Sequence, residues 1–478
     1  MKKKLLPALI VTGLIILVVI IMGITALINK YTPTKKTEDL KEYFNISSDD
    51  EAALIVDNEL SDYKAKIIDK KIYVDYKFVH DSLNSRFYWD ANENVLLYTT
   101  ASDIISAAAD SNSYSVTKQT NDFGYPIVKA TSDSALIALD YVKQYSNITF
   151  KSYDDPARIV ITSKWDEIDS ATVSKSTQVR VKGGIKSPIL KEVKKDDKIT
   201  ILDSGDKWDK IATEDGVIGY IKGKALSESK KTKLTNPDYE EETFTHIKKD
   251  KDICLAWNQV TSQSANSKVP QVISSTKGIN VMSPTWFYLN DNNGNLADIA
   301  SKDYVSYCHS QGIEVWGLFS NFENTDVDAA YVLTHTSTRT TLINQIMSAA
   351  FNYELDGVNI DFENITEAAY GDSYIEFIRE LAIKCHNNGI SLSVDVTVPA
   401  SFNKFFNRSD MANFADYIVI MGYDEHYKGS DAGSVSSIPW VTEGVESTLK
   451  EVPADQIILG MPFYTRIWEL TPKEDDDA

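Results

Sequence analysis

The chain has 478 residues, 43% of them hydrophobic, so most of it should fold, with room for about three domains. Its formal net charge of −20 argues against nucleic acid as a partner, because phosphate binding needs clustered lysine and arginine. The chain carries no glycine-rich phosphate loop and no zinc-type spacing of cysteine and histidine. No cofactor and no metal are therefore expected.

The N-terminus reads MKKK and continues with an uncharged apolar stretch over residues 5–28, long enough to span a bilayer of about 30 Å. The three lysines should stay cytoplasmic, which leaves the bulk of the chain extracytoplasmic. A cleaved signal peptide is the alternative, although its apolar core is normally only about 7–15 residues long. We expect residues 1–30 to be a cytoplasmic stub and an uncleaved signal anchor in the cell membrane.

Three cysteines, Cys254, Cys308 and Cys385, are too few and too scattered for a disulfide framework. Each lies within or beside an apolar segment, where cysteine acts as a small hydrophobic residue. An exported protein of this kind suggests a bacterial cell surface rather than a eukaryotic secretory route.

An internal repeat follows a polar linker at 31–50 and marks a predicted domain over 51–165. FVHDSLNSRFYWDANENVLLYTT (78–100) aligns without gaps to YVKQYSNITFKSYDDPARIVITS (141–163). Each copy predicts a short helix, a strand, a tight turn and a second strand. The pattern resembles the copper amine oxidase N-terminal-like domain of bacterial surface proteins. That resemblance implies spacing or wall binding and no copper, since the single His80 makes no metal site.

Residues 170–228 carry short alternating strands separated by turn residues: TQVRVKG, DDKITILDS, WDKIATED and GVIGYIKGKAL. They resemble the bacterial SH3 domain, which is often appended to wall hydrolases. Trp208 and Tyr220 stand where that family has aromatic residues, and core packing is the favoured explanation for both. A charged, polar linker over 229–250 follows.

Over residues 251–478 the pattern changes to seven apolar runs: ICLAW, INVMS, IEVWGLF, GVNIDFE, SLSVDVTVP, YIVIMGY and IILGMPFY. Continuous apolar runs are typical of parallel strands covered on both faces. Helical patterns lie between several of them, and the clearest, DSYIEFIRELAIKCHNNG, ends at Gly389. This alternation predicts an α/β barrel of the (β/α)8 type.

Seven strands are one fewer than such a barrel needs, and the chain ends soon after the seventh, in TPKEDDDA. A barrel without its last unit has unpaired strand edges. Either the sequence is an incomplete version of a longer protein, which we favour, or the barrel closes in another way. The predicted fold class is multidomain: a C-terminally incomplete α/β barrel, preceded by a small all-β SH3-like barrel and an α+β repeat domain.

Polar residues alternate with apolar ones in the fourth run, LDGVNIDFEN. Residues two apart in a strand share a face, so Asn359, Asp361 and Glu363 should point toward the barrel interior. Glu363 comes last, at the C-terminal mouth where barrel active sites lie. Because burying carboxylates is costly unless they are paired or hydrogen-bonded, this face predicts a functional site. A solvated strand end is the alternative.

The fourth run resembles a signature of glycoside hydrolase family 18, which contains chitinases and endo-N-acetylglucosaminidases. DGVNIDFE is similar to the family's Asp-x-x-Asp-x-Asp-x-Glu pattern at Asp356, Asp361 and Glu363. Asn359 departs from the pattern, since it cannot share a proton as an aspartate can. This departure either leaves Asp361 more firmly ionised or lowers the rate.

A second motif agrees with that resemblance. The sixth run ends in MGYDEHY, where the family carries Met-x-Tyr-Asp, here Met421, Tyr423 and Asp424. The later SSIPWVTEGVE and GMPFYTRIW resemble the branch of spore-cortex and peptidoglycan-lytic enzymes. The resemblance extends from residue 251 to about residue 470.

The resemblance implies a mechanism that needs one protein acid, because family 18 enzymes use the substrate's own acetamido group. Glu363 would protonate the leaving oxygen and later activate water. Asp361 would orient the acetamido N–H, and Tyr423 would hold the acetamido carbonyl. An ionised Asp361 beside Glu363 would raise the pKa of that acid. The supporting residues would be Asn359, Asp356 and Asp424.

Six residues at or near strand ends are further candidates for substrate binding: Trp257, Trp286, Trp316, Glu425, Arg466 and Trp468. Sugar rings stack on aromatic faces, but core burial explains a tryptophan equally well. A metal site built from Asp424, Glu425 and His426 is a weak alternative, because no partner cluster is evident.

These patterns predict a membrane-anchored, extracytoplasmic glycosidase whose partner is a cell-wall glycan, with peptidoglycan first and chitin second. Two alternatives from another class stay open. One is a non-catalytic carbohydrate-binding barrel, which the presence of Glu363 disfavours. The other is a wall tether with a vestigial barrel. The sequence carries no signal for an oligomeric state.

Overall fold

The computed structural model describes residues 2–363, Ile365 and residues 368–469. The chain divides into two compact units. Unit 1 comprises Met1–Leu83 with Leu136–Glu240, and unit 2 comprises Asn84–Ala135 with Glu241–Ala478. The chain is therefore multidomain, and the repeat domain predicted over 51–165 is divided between the two units.

Unit 1 begins with a long helix, Lys2–Tyr31, formed by the apolar stretch seen in the sequence. Its segment Leu9–Tyr31 is long and apolar enough to cross a membrane, and none of it is buried. In the described part of the chain it is the single helix with these properties. Length and composition fit a membrane span, and they fit a signal sequence near an N-terminus as well.

Two sheets and short helices make up the rest of unit 1. The strands that unit 1 contributes to the first, mixed sheet are, in spatial order, Thr149–Tyr153, Arg158–Thr162, Glu51–Val56, Glu59–Ile68, Lys71–Asp75 and Ala135–Ala138. The strands of the second, antiparallel sheet are Ile189–Val193, Thr177–Arg180, Ile218–Lys222, Trp208–Thr213, Lys198–Asp203, Glu167–Thr172 and Lys230–Lys233. The helices are Leu40–Tyr43, Tyr76–Phe78, Val79–Leu83, Leu139–Gln144 and Gly223–Ala225.

Both copies of the internal repeat form a short helix followed by a two-stranded hairpin. In the first copy the hairpin strands are Phe87–Asp90 and Val95–Thr99, and in the second they are Thr149–Tyr153 and Arg158–Thr162. The first hairpin belongs to unit 2 and the second to unit 1. Similar local sequences therefore give similar local structure in different surroundings.

Unit 2 contains a five-stranded antiparallel sheet over residues 87–122, which we call the inserted sheet. Its strands, each paired with the next, are Phe87–Asp90, Val95–Thr99, Ile104–Ala108, Ser113–Val116 and Gln119–Asp122. A further short strand, Val128–Ala130, follows it.

The rest of unit 2 is built on a parallel sheet with the seven predicted strands in chain order. They are β1 (Leu255–Asn258), β2 (Val281–Leu289), β3 (Glu314–Ser320), β4 (Gly357–Asp361), β5 (Ser391–Thr397), β6 (Tyr417–Met421) and β7 (Ile457–Gly460). Leu296–Asp298 adds one antiparallel strand to the end of β2. Within the described residues β1 and β7 are the outer strands, so the barrel-like sheet is open there.

Helices cross between these strands, as the alternating pattern predicts. They are α1 (Val269–Ser274), α2 (Lys302–Ser310), α3 (Ala329–Thr334), α4 (Thr336–Tyr353), α5 (Ala368–His386), α6 (Arg408–Phe414) and α7 (Ile438–Thr448). Short 3-10 turns lie at Gln263–Lys268, Ser401–Phe406 and Ala454–Gln456. The predicted stop of α5 at Gly389 lies three residues beyond its last turn, and Gly389 adopts the left-handed φ of 68° that glycine accepts without strain.

The outward face of β4 packs on α5, as the alternation of this strand predicts. Val358, Ile360 and Phe362 are fully buried in the main core. The Phe362 ring stacks on that of Phe377, with 5.4 Å between centroids. Asn359 and Asp361, which alternate with Val358, Ile360 and Phe362, are left to face the barrel interior.

Of the three cysteines, Cys308 and Cys385 are buried as expected, while Cys254 is exposed at the start of β1 and is not a core residue.

Candidate active site

Asn359 occupies the centre of the interior face of β4 and is completely buried. Its side-chain Oδ1 accepts hydrogen bonds from Trp257 Nε1 and Ser283 Oγ, both at 3.0 Å. Its Nδ2 donates to Asp395 Oδ1 on the neighbouring strand β5, at 2.8 Å. The amide therefore joins β1, β2 and β5 below the mouth of the barrel.

Asp361 is the last residue of β4 and lies on the same face as Asn359. Its Oδ1 is buried and accepts no hydrogen bond from any described residue. The pKa of Asp361 is raised to about 7, with burial as the largest cause and the negative charges of Glu363 and Glu323 as the next ones. A buried carboxyl oxygen without a donor is costly, so this oxygen is free to take a donor from a ligand.

Glu363 lies two residues beyond the end of β4, and the side chain of Asn321 makes hydrogen bonds to both its backbone N–H and its backbone carbonyl. The Glu363 N–H donates to Asn321 Oδ1 at 2.8 Å, and Asn321 Nδ2 donates to the Glu363 carbonyl at 2.9 Å. Burial raises the pKa of the Glu363 carboxyl, and Asp424 and Glu323 add to the rise. A glutamic acid tuned in this direction keeps its proton closer to neutrality, as a general acid must.

Tyr423 follows β6 and stands between two aromatic rings at the mouth. Its ring meets the Trp257 and Tyr464 rings edge to face, with centroid distances of 6.2 Å to each. Burial raises the pKa of Tyr423, with the charges of Asp395 and Asp361 as further causes. The phenol therefore stays protonated and can donate a hydrogen bond.

Asp424 lies next to Tyr423 in a left-handed backbone conformation, with φ of 63°. Its Oδ1 accepts hydrogen bonds from Tyr464 Oη, at 2.6 Å, and from the guanidinium of Arg466. The predicted residues Tyr423, Asp424 and Arg466 thus come together beside Glu363, whose pKa responds to Asp424.

Three of the candidate residues lie away from this mouth. Asp356 sits at the opposite, N-terminal end of β4, where its carboxylate accepts hydrogen bonds from the Val315 N–H and from His309, both at 2.8 Å. Trp286 and Trp316 have no exposed surface at all. For these two tryptophans the structure therefore favours core packing over a place in the cleft.

The side chains of Glu425 and Trp468 make hydrogen bonds to the loop that precedes α7. Both carboxylate oxygens of Glu425 accept from Ser437, which precedes α7: Oε2 from the backbone N–H at 2.7 Å and Oε1 from the hydroxyl at 2.9 Å. Trp468 Nε1 donates to the Gly433 carbonyl at 2.8 Å. The carboxylate of Glu425 is thus engaged within the chain, while Trp257 and Trp468 are half-buried.

The structure adds Asp395, Asn321 and Glu323 to the site, none of which the sequence reasoning selected. Asp395 had a usable signal, because Ser391, Ser393 and Asp395 alternate along β5 just as the polar residues do along β4. Asn321 and Glu323 lie in the loop after β3 and carry no comparable pattern. Ser320 Oγ, which donates to Glu323 at 2.6 Å, fixes that loop carboxylate beside the site.

Comparison with known families matches residues 316–478 to the family described as Glycosyl hydrolases family 18. Two curated relatives are from Bacillus subtilis (strain 168). The uncharacterized glycosylase YvbX is 25% identical over 194 residues, which cover 38% of this chain and 55% of that protein. The cortical fragment-lytic enzyme is 26% identical over 187 residues, covering 37% and 43%. The chain thus spans about half the length of the curated relatives it matches.

Two solved structures were also matched. A chitinase from Chromobacterium violaceum ATCC 12472 is 21% identical with a TM-score of 0.39, covering 44% of this chain and 68% of that one. The spore cortex-lytic enzyme SleL of Bacillus megaterium QM B1551 is 20% identical with a TM-score of 0.38, covering 43% and 49%.

Proposed function

We propose that this chain, which carries a glycoside hydrolase family 18 domain, is a glycosidase that cleaves β-linked N-acetylglucosamine polymers with retention of configuration. Its reaction uses the acetamido group of the substrate as the nucleophile, which is the route of this family. Peptidoglycan is the favoured substrate, and chitin is the second.

In the proposed reaction the Glu363 carboxyl donates its proton to the leaving glycosidic oxygen as the bond to the anomeric carbon breaks. The acetamido oxygen attacks that carbon and forms an oxazolinium ion. The Asp361 carboxylate accepts a hydrogen bond from the acetamido N–H and balances the positive charge. The Tyr423 hydroxyl donates a hydrogen bond to the acetamido oxygen. Glu363 then takes a proton from water, whose oxygen attacks the anomeric carbon and restores the acetamide.

One observation carries this proposal: the buried Oδ1 of Asp361 has no hydrogen-bond donor among the described residues. Asp361 precedes Glu363 by two residues in the chain. An acetamido N–H is a donor of the kind that this oxygen lacks. The raised pKa of Glu363 supports its role as the acid, and the neutral phenol of Tyr423 supports its role as a donor.

The preference for peptidoglycan rests on the N-terminal part of the chain and on one relative. An anchor at residues 5–28 with an SH3-like module at 170–228 and the repeat domain would hold the barrel beside the cell wall. The curated relative named cortical fragment-lytic enzyme fits a wall polymer. In this proposal the protein lies in the cell membrane with its N-terminus in the cytoplasm.

The test is product analysis with the full chain in detergent, comparing wild type with Glu363→Gln and with the control Glu443→Gln. Glu443 is an exposed carboxylate on α7, so its loss should leave the products unchanged. Purified peptidoglycan and chito-oligosaccharides are incubated separately, and the products are identified by mass spectrometry. We expect fragments ending in reducing N-acetylglucosamine from wild type and control, and none from Glu363→Gln.

Absence of products from all three proteins, with equal retention on the wall polymer, would contradict the enzyme proposal. It would favour a carbohydrate-binding barrel or a wall tether instead. Products from chito-oligosaccharides alone would reverse the order of the two substrates.

A further inference from the structure

Asp395 lies beside Asp361 on the interior face of the sheet. β4 and β5 are parallel neighbours in which Ile360 is paired with Val394, so Asp361 and Asp395 are the next residues along the same register. Residues at one register position of adjacent strands point to the same face, with Cβ atoms about 5 Å apart. Asp395 is 2% exposed, which places two carboxyl groups side by side in the barrel interior.

The hydrogen bonds of Asn359 determine which of its atoms meets Asp395. Trp257 Nε1 and Ser283 Oγ both donate to the Asn359 oxygen, so that end of the amide cannot face another acceptor. The Nδ2 end is therefore directed to Asp395 Oδ1 at 2.8 Å. Asn359, the residue that departs from the family pattern, is therefore a fixed hydrogen-bond donor to the carboxyl group of Asp395 on β5.

Within the described part of the chain, no cation balances the two carboxyl groups. Among the described residues, no ion pair includes Asp361 or Asp395. The titratable groups that act on the pair are acids and phenols: Glu363 after β4, Glu323 in the loop after β3, Tyr374 on α5 and Tyr423 after β6. Two adjacent buried carboxylates without a cation cannot both stay ionised at low cost.

We propose that Asp395 supplies, from the neighbouring strand, the proton-sharing carboxyl group that Asn359 cannot supply, and that Asp395 and Asp361 together hold one proton at neutral pH. This inference rests on the proposed function for its catalytic meaning. Asp395 acts through Asp361 and is a positioning residue, since it does not itself touch the reacting atoms.

The electrostatics of the pair agree with a shared proton. Burial raises the pKa of Asp395 well above its usual value, with the charge of Asp361 as the next cause, whereas that of Asp361 is raised to about 7. The pair therefore loses its protons in two steps that belong to both carboxyl groups together. One shared proton leaves a single negative charge on the pair to face the acetamido group.

The test measures stability against pH, which needs no catalytic activity. A carboxyl group whose folded pKa lies above its unfolded value costs stability as pH rises through the window between the two. Asp395→Asn removes this group and keeps its shape, so its melting temperature relative to wild type should rise from about pH 5 to about pH 8. The control Ser393→Ala changes a fully buried residue of the same strand face and should show a constant difference.

Melting of the full chain in detergent is followed by tryptophan fluorescence, because six of the eight tryptophans lie in unit 2. Asp361→Asn is a second variant: since the pair shares one proton, loss of either carboxyl group should flatten the pH dependence. The proposal would be overturned if the melting temperature of Asp395→Asn relative to wild type were constant or fell with pH. It would also be overturned if the melting temperature of Asp361→Asn depended on pH as steeply as that of wild type.

A kinetic readout separates this inference from the proposed function. Asp395→Asn keeps a neutral group beside Asp361, so its kcat at neutral pH should stay within about tenfold of wild type, while Glu363→Gln is inactive. If wild type itself cleaves no glycan, the proposed function fails and the melting result still decides whether Asp361 and Asp395 share a proton.

Discussion

The hydroxyl of Thr99, in the inserted sheet, donates a 2.8 Å hydrogen bond to the fully buried carboxylate of Glu376 on α5. Tyr88 of the same sheet reaches α5 as well, with 2.9 Å between its hydroxyl and that of Ser373. α5 is the helix that follows β4 and Glu363 in the chain. The inserted sheet therefore holds the helix that supports the candidate active site.

Thr99→Val should destabilise unit 2, because it keeps the shape of the side chain but leaves Glu376 with one donor fewer in a buried position. We expect a loss of about 1–3 kcal/mol in the free energy of unfolding. Thr120→Val, an exposed threonine of the same sheet, is the control and should change stability little. Urea unfolding followed by tryptophan fluorescence measures both variants. Equal effects would show that the hydrogen bond to Glu376 contributes nothing.

Arg339, on α4, is a second contact between the inserted sheet and the barrel helices. Its Nε donates to Glu380 on α5 at 2.9 Å, and its guanidinium lies over the Tyr88 ring, 5.1 Å from the centroid. Arg339→Met leaves Glu380 buried without its cation and should cost about 3–5 kcal/mol. The double variant with Glu380→Leu removes both charges and should recover most of that loss. Failure to recover would mean that the arginine acts through packing rather than through its charge.

Much of this fold follows from sequence pattern. Apolar runs give all seven parallel strands, because a strand covered on both faces needs apolar residues throughout, and alternation within β4 gives the inward face of Asn359 and Asp361. The association of residues 84–135 with the barrel has no such signal. Sequence similarity between the repeat copies reports their local structure and carries no information about the surface on which each hairpin packs.

Parts of the site also depend on three-dimensional placement. Asp395 becomes the neighbour of Asp361 through the register between two strands, which the residues themselves do not specify. Trp286 and Trp316 are aromatic residues near the ends of apolar runs, and only their packing shows that they are core residues. Glu425 follows the Tyr-Asp motif directly, yet its carboxylate turns to Ser437.

Glu323→Gln should shift the pH dependence of hydrolysis. Glu363 must be protonated to act as the acid, so activity falls on the alkaline side as pH rises through its pKa. The Glu323 charge helps to raise that pKa, and its removal should move the alkaline limb of kcat/KM to lower pH. Asp326→Asn, an exposed change in the same loop, is the control. An alkaline limb that does not move, or moves upward, would contradict the assignment of Glu363 as the acid.

Asn359→Asp should make the barrel less stable as pH rises. The new carboxyl group would replace the amide donor that faces Asp395 and would stand beside the acids Asp361 and Asp395. Its pKa would therefore be higher in the folded than in the unfolded protein. Stability is then lost progressively above about pH 4. Melting temperatures at about pH 5 and about pH 8 test this, with exposed Asn388→Asp as the control. A drop that is the same at both pH values would indicate a packing defect alone.

The most direct test of the central claim compares hydrolysis of an N-acetylglucosamine oligosaccharide with hydrolysis of its de-N-acetylated counterpart by the wild-type chain. If Asp361 orients an acetamido nucleophile while Glu363 protonates the leaving oxygen, the acetylated substrate is cleaved and the de-N-acetylated one is not. Equal rates on both substrates would contradict this account, because the free oxygen of Asp361 would then have no acetamido group to hold.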